Sequence, residues 1–186
     1  MLNLRHLSSA ELEAGLEHIR RSPKDEGRLM LIVRRPDVDE REAVHECQLD
    51  PIEGLVGDNW KIRRNKNTPD GSANINAQIT VMNSRTIELL AQDEGRWSLA
   101  GDQLYVDMNL SDENLPPGTR LALGTAVLEV SDAPHTGCRK FAERYGTDAT
   151  KFVNSPEGKR HHLRGINTKV VQAGTVRVGD VARKLA

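Results

Sequence analysis

The second half of the chain does most to limit the folds open to it. From Gln103 onward, apolar and β-branched residues come in short runs: QLYVDMNL, TRLALG, AVLEVS, INTKVVQAG and TVRVGDVARKL. Pro116-Pro117-Gly118, Gly124, Gly174 and Gly179 separate these runs, and such residues mark turns. Runs this short and closely spaced leave little chain for the helical crossovers of a doubly wound parallel sheet. The expected fold is mainly β: a closed or nearly closed antiparallel barrel with a few short helices, because closure removes exposed strand edges.

The first half is more mixed. Ser8 followed by Glu11 forms a capping box, and Leu12, Leu16 and Ile19 follow at helical spacing, which predicts a helix from about Ser9 to Arg21, ended by Pro23. Arg28 to Arg35 reads as a strand; Glu42 to Leu49 fits a strand or a helix and is taken as a strand, and Cys47 within it lacks basic neighbours and is assigned to the core. A long polar connection after Gly57 carries Lys61, Arg63, Arg64 and Lys66 and reads as a functional lid or a disordered segment. INAQITVM then reads as a strand, and NSRTIELLAQ as a helix capped by Asn83 with Ile87 and Leu90 on one face.

Charge and composition exclude several classes of function. The 186 residues suit one buried core, and 26 Lys+Arg against 27 Asp+Glu leave no basic surplus for nucleic acid. Aromatics at 3% argue against stacking platforms for single strands. Two distant cysteines do not form a disulfide framework, the N-terminal stretch has no apolar export core, and no apolar run reaches membrane-spanning length. A cytoplasmic protein with neither nucleic-acid nor membrane partners is expected. Charge is uneven, however: seven cations and three anions lie between Ala133 and Arg164, together with His135, His161 and His162.

That window contains the candidate nucleophile. Cys138 sits in APHTGCRKFAERYG, three residues after His135 and just before Arg139 and Lys140, and Cys138 to Tyr145 reads as a short helix starting at the thiol. Cations and a helix start both favour thiolate, the form that attacks electrophiles and binds soft metals. The alternative is an inert buried thiol in a barrel that binds a small anion or a partner. Phosphate-loop, dinucleotide, serine-hydrolase and HExxH signatures are absent. The spacing of His135, Cys138, His161 and His162 does not suit structural zinc, and a Cys–His hydrolase lacks an evident orienting carboxylate.

Taken in order, GLVGDNW (54–60), ITVMNSRTIELL (79–90), NLPPGTRLALGTAVLEVSDAPHTGCRKFAERYG (114–146) and LRGINTKVVQAGTVRVGD (163–180) resemble the MOSC domain, named for the C-terminal part of molybdenum cofactor sulfurases. The resemblance covers roughly residues 40 to 184. It divides the chain into an appended helix and strand (1–39) and a MOSC-like barrel domain of the pyruvate-kinase type (40–186). It implies a single cysteine, here Cys138, that either carries sulfur as a persulfide or ligates molybdenum in the pterin cofactor. It also implies reduction of N-hydroxylated compounds as an activity found among relatives. A soft thiolate suits either role, and a pterin with a phosphate tail needs cations around it.

Site roles follow from that resemblance. Cys138 is the metal ligand or sulfur carrier. Arg139 and Lys140 favour its thiolate or bind phosphate, Arg164 makes a forked contact to an anion or pairs with a carboxylate, His135 donates to the thiolate or caps the loop, and Asp58 orients a site residue or finishes the Gly57 turn. The expected partners are a small anionic cofactor and a sulfur-donor or electron-donor protein. Two local departures stand out: Asp58-Asn59-Trp60 replaces the family's frequent Asp-Arg-His, and GDQL at 101–104 replaces its frequent GENL.

Overall fold

The structure is a computed structural model and describes residues 5–65 and 68–186. In chain order the elements are α1 (Ser9–Arg20), β1 (Glu26–Arg34), β2 (Glu42–Val44), β3 (Glu46–Asp50), β4 (Gly54–Leu55), β5 (Ile79–Asn83), α2 (Ser84–Ala91) and β6 (Leu104–Asp107). They continue with β7 (Arg120–Leu123), β8 (Ala126–Val130), α3 (Arg139–Tyr145), α4 (Thr147–Asn154), α5 (Pro156–Arg160), β9 (Ile166–Gln172), β10 (Gly174–Arg177) and β11 (Val181–Lys184). Seven strands close a barrel in the circular order β1-β11-β7-β8-β9-β5-β6, with β2 added beside β1. A second, smaller sheet has the order β10-β3-β4.

One ladder departs from the antiparallel expectation. β5 and β6 run parallel, with Val81 opposite Leu104 and Asn83 opposite Val106. Parallel neighbours need a crossover, and α2 supplies it. Asn83 starts that helix, its side chain accepting from the backbone of Arg85 and Thr86. The capping box at Ser8 and Glu11 starts α1 as expected, and α1 ends at Arg20.

Alternation along the strands makes two cores rather than one. Ile79 and Val81 of β5, Leu104 and Val106 of β6, and Leu29 and Ile32 of β1 join the apolar filling shared with β7, β8 and β9. Met82, Tyr105 and Val33 belong instead to an outer cluster with Leu12 and Ile19 of α1, Ile87 and Leu90 of α2, and Phe141 and Tyr145 of α3. The interior is therefore a packed apolar core. β1, which precedes the family-like region, is a stave of this barrel, paired with β11 on one side and β6 on the other. Among the described residues no helix is long and apolar enough to cross a membrane.

Candidate functional site

β1 ends next to the starts of β5 and β6, since Ile32 pairs with Leu104 and Leu104 with Val81. The chain entering β9 arrives at the same place, where Asn167 pairs with Thr80. Thr80 and Asn167 alternate with inward-facing residues and so line a cleft of about 710 Å³ on the outer face of the barrel. The loops after β1 and β4 and the segment leading into α3 form its walls.

The cleft is strongly basic. Arg35, Arg41, Arg63 and Arg64 enter from the first half of the chain, and Lys140, Arg144 and Arg164 from the second. Among the described residues, these seven cations face only two lining carboxylates, Asp37 and Asp39. Among the described residues, three buried polar atoms of the lining lack a hydrogen-bond partner: Arg41 Nε, Asn59 Oδ1 and Arg164 Nε. Buried polar groups are normally satisfied, so these atoms are left wanting a water, an ion or a ligand group as partner.

Two buried ion pairs hold the floor. Asp58, whose side chain is fully buried, accepts from Arg35 Nε and Nη2 at 2.8 Å each and from the backbone of Arg35 and Trp60 at 2.9 Å. Arg35 Nη1 donates to Gly101 O at 2.9 Å. Beside it, Arg164 donates through Nη1 to fully buried Asp102 and through Nη2 to Ala100 O at 2.9 Å, with its guanidinium 4.9 Å from the Phe141 ring centre. The Ala100–Asp102 segment thus holds both guanidiniums, Arg164 through Ala100 O and the Asp102 carboxylate and Arg35 through Gly101 O, while Asp58 supplies the carboxylate of Arg35.

Asp102 has a second partner, His135 Nε2 at 2.7 Å. Burial alone pushes the Asp102 carboxyl up, but Arg164 and His135 together outweigh it and hold the group below its usual range. His135 is pushed down by burial and by Arg164, against the pull of Asp102. The imidazole is consequently neutral at neutral pH. An ionised Asp102 can only accept, so the proton sits on Nε2 and Nδ1 keeps its lone pair.

Cys138 is exposed, lines the cleft, and is the N-cap residue of α3, close to where the sequence places the helix start. The loop that carries it is pinned by side chains from distant elements. Asn167 Nδ2 donates to the carbonyls of Ala133 and Pro134 at 3.1 and 3.2 Å. Asn154 at the end of α4 makes a reciprocal pair with Gly137, accepting from its N–H at 2.9 Å and donating to its carbonyl at 3.0 Å. Gly137 packs closely there: a Cβ would lie 3.1 Å from Val153 Cγ2.

The sequence-predicted residues are therefore only partly assembled. Cys138, His135, Lys140 and Arg164 line the cleft together. Asp58 lies beneath it as the partner of Arg35. Arg139 does not line it: its side chain is 89% exposed and pairs with Glu143 on α3. Of the other predicted cations, Lys61 pairs with Glu53, Arg63 and Arg64 line the cleft, and Lys66 lies outside the described residues. His161 pairs with Glu157 and His162 with Asp112, so neither joins His135.

Arg35, Arg41, Asp102, Arg144 and Asn154 were not singled out from sequence. Asp102 left a trace as the acid of GDQL, a carboxylate retained despite the departure from GENL.

The two thiols are sharply different. Cys47 packs against the barrel core, and burial pushes its thiol up to about 12. In the folded protein, iodoacetamide at neutral pH should modify Cys138 and spare Cys47, with both reacting once the chain is unfolded. Peptide mass spectrometry reads this directly, and fast labelling of Cys47 would contradict its assignment to the core.

The comparisons with known proteins agree with this fold. The MOSC domain model matches residues 69–183, more than half of the chain and beginning after GLVGDNW. No curated protein matches. Among solved structures, YiiM from Geobacillus stearothermophilus superposes with a TM-score of 0.58 at 16% identity, covering 86% of this chain and 75% of that one. YiiM from Escherichia coli gives 0.55 at 16%, covering 86% and 70%, and the YUAD protein from Bacillus subtilis 0.56 at 17%, covering 84% and 94%. At these identities the structures speak for the fold, and the domain match for the family: the chain belongs to the MOSC domain family.

Proposed function

We propose that the cleft binds molybdenum cofactor, with Cys138 as the ligand of the metal and the surrounding cations as partners of the pterin's anionic tail. The observation that carries this reading is the cleft itself: an exposed thiol at the edge of a basic space with three unpartnered buried polar atoms. The donor set fits such a group. A thiolate is a soft ligand, and arginine offers forked donors to phosphate. The bound cofactor would supply the two-electron redox chemistry needed to reduce an N-hydroxylated substrate, with electrons from a separate donor protein. For the chain's own residues, His135 Nδ1 would hold or pass a proton at the cleft wall, and Arg35 and Arg164 would orient an anionic group from the floor.

Protein purified from cells that make the cofactor should contain stoichiometric molybdenum, and Cys138→Ala should lose it. Metal-free wild-type protein from the same cells would refute the reading.

The exposure of Cys138 favours a second reading, sulfur delivery. Here the Cys138 thiolate attacks the terminal sulfur of a donor protein's persulfide, forming a new S–S bond as the donor's thiolate leaves. Mass spectrometry after incubation with a persulfide donor should show one added sulfur on Cys138, and an unmodified thiol would count against this reading.

A further inference from the structure

Asp39 occupies an unusual position for an acid. It stands in the loop between β1 and β2 at a positive φ of 62°, a conformation costly for most residues and tolerated by aspartate. Its carboxylate reaches across to α3 and pairs with Lys140 at 2.6 Å and Arg144 at 3.5 Å, cations one helical turn apart on the face toward the cleft. Arg41, from the same loop, lies half-buried among these groups. Burial lowers its pKa, and Arg144 and Arg35 lower it further. Among the described residues its Nε has no partner, and its Nη1 donates to the backbone carbonyl of Glu40.

The local charge does not balance. Among the described residues, the three cations Arg41, Lys140 and Arg144 have one carboxylate, Asp39, within ion-pair distance of any of them; Asp37, the other lining acid, pairs with none of the three and accepts from the backbone of Val38. The pairs of Asp39 are also weak ones, since its side chain is 56% exposed and exposed ion pairs contribute little. A doubly charged oxyanion would neutralise the cluster better than one carboxylate, and its oxygens offer acceptors to the guanidinium groups of Arg41 and Arg144 and to Lys140.

We propose that Arg41, Lys140 and Arg144 form an oxyanion subsite for a phosphate monoester, and that Asp39 holds this subsite in the free protein as an internal competitor. Binding of the ester displaces the Asp39 carboxylate, and the Asp37–Arg41 loop moves with it. This rests on reading the cleft as an anion site, and it deepens that reading by naming an acid of the chain that sets its affinity.

The test is calorimetric titration of metal-free protein with glycerol phosphate and, separately, with inorganic phosphate. Asp39→Asn should bind roughly fivefold more tightly than wild type, because the weak competing pair is gone. Arg144→Gln should bind more weakly, and Arg160→Gln, an exposed cation on α5 outside the cleft, should match wild type. Because Arg144 also donates to Leu99 O, Lys140→Gln serves as a second loss variant if Arg144→Gln does not fold.

A larger gain for the ester identifies a ligand-borne phosphate, and an equal gain for both probes a free anion, either of which supports the competitor role. An Asp39→Asn variant no tighter than wild type for both probes overturns it, as does unchanged affinity in the folded loss variant. Neither probe contains molybdenum, so a failure here is distinct from failure of the metal assay on Cys138→Ala.

Discussion

Asp102→Ala should destabilise the protein by about 3–5 kcal/mol, the range expected when one partner of a buried ion pair is removed. Arg164 is nearly buried, and without Asp102 its charge keeps only the Ala100 carbonyl and the Phe141 ring face. For a domain of this size, the loss corresponds to a fall in melting temperature on the order of 10 °C. The damage comes from an orphaned charge, so Asp102→Ala with Arg164→Met should recover part of it, giving a double-variant effect well below the sum of the singles. Thermal and urea unfolding of the four proteins measure this. A single-variant effect at the level of surface pairs would refute the assignment.

The same cluster predicts an acid response. His135 has a lowered folded pKa, so between that value and the unfolded value of about 6.5 the unfolded chain binds the extra proton and stability falls as pH falls. Asp102 is also lowered, so its contribution is complete above the unfolded value of about 3.9 and is lost as pH drops through its folded pKa. Wild type should therefore weaken in two stages on acidification. His135→Gln should remove the first, and an unchanged profile in that variant would show that His135 is not the group responsible.

Asp58→Ala is expected to have the second large effect, also about 3–5 kcal/mol. Its carboxylate satisfies the Arg35 guanidinium and two backbone N–H groups, all close to a side chain with no exposure. Removal leaves Arg35 tied only to Gly101 O, so the variant should also bind inorganic phosphate differently from wild type under conditions where it remains folded. Glu143→Ala, which breaks the exposed pair with Arg139, should leave the unfolding midpoint unchanged. Comparable losses in the two variants would mean that burial is not what gives the Asp58 pair its weight.

Elements whose signals are local were readable from the chain. The capping box at Ser8, the Asn83 cap, the glycine and proline breaks of the second half and the Cys138 helix start all rest on neighbours within a few residues. The helices α4 and α5 went unread, although Ser155-Pro156 is a start signal: Ser155 accepts from Gly158 N, with Pro156 in the first turn. The parallel β5–β6 ladder was not readable, because pairing direction depends on where the crossover lands.

Readable along the chain was the alphabet of the site: one thiol in a basic segment, flanking cations, a barrel-like rhythm of strands and family-like segments in order. Which cations share the cleft with the thiol depends on tertiary structure. Lys140 and Arg144 turn toward the cleft while Arg139, their neighbour in sequence, turns away, because successive positions on a helix point about a hundred degrees apart. Arg35 and Arg164, more than half the chain apart, meet at the Ala100–Asp102 segment because the strand order β1-β6-β5-β9 brings the end of β1 and the chain entering β9 to one cleft across β5 and β6. Burial then turned Asp58 and Asp102 from polar turn residues into anchors of those charges, since a guanidinium withdrawn from water requires a carboxylate beside it.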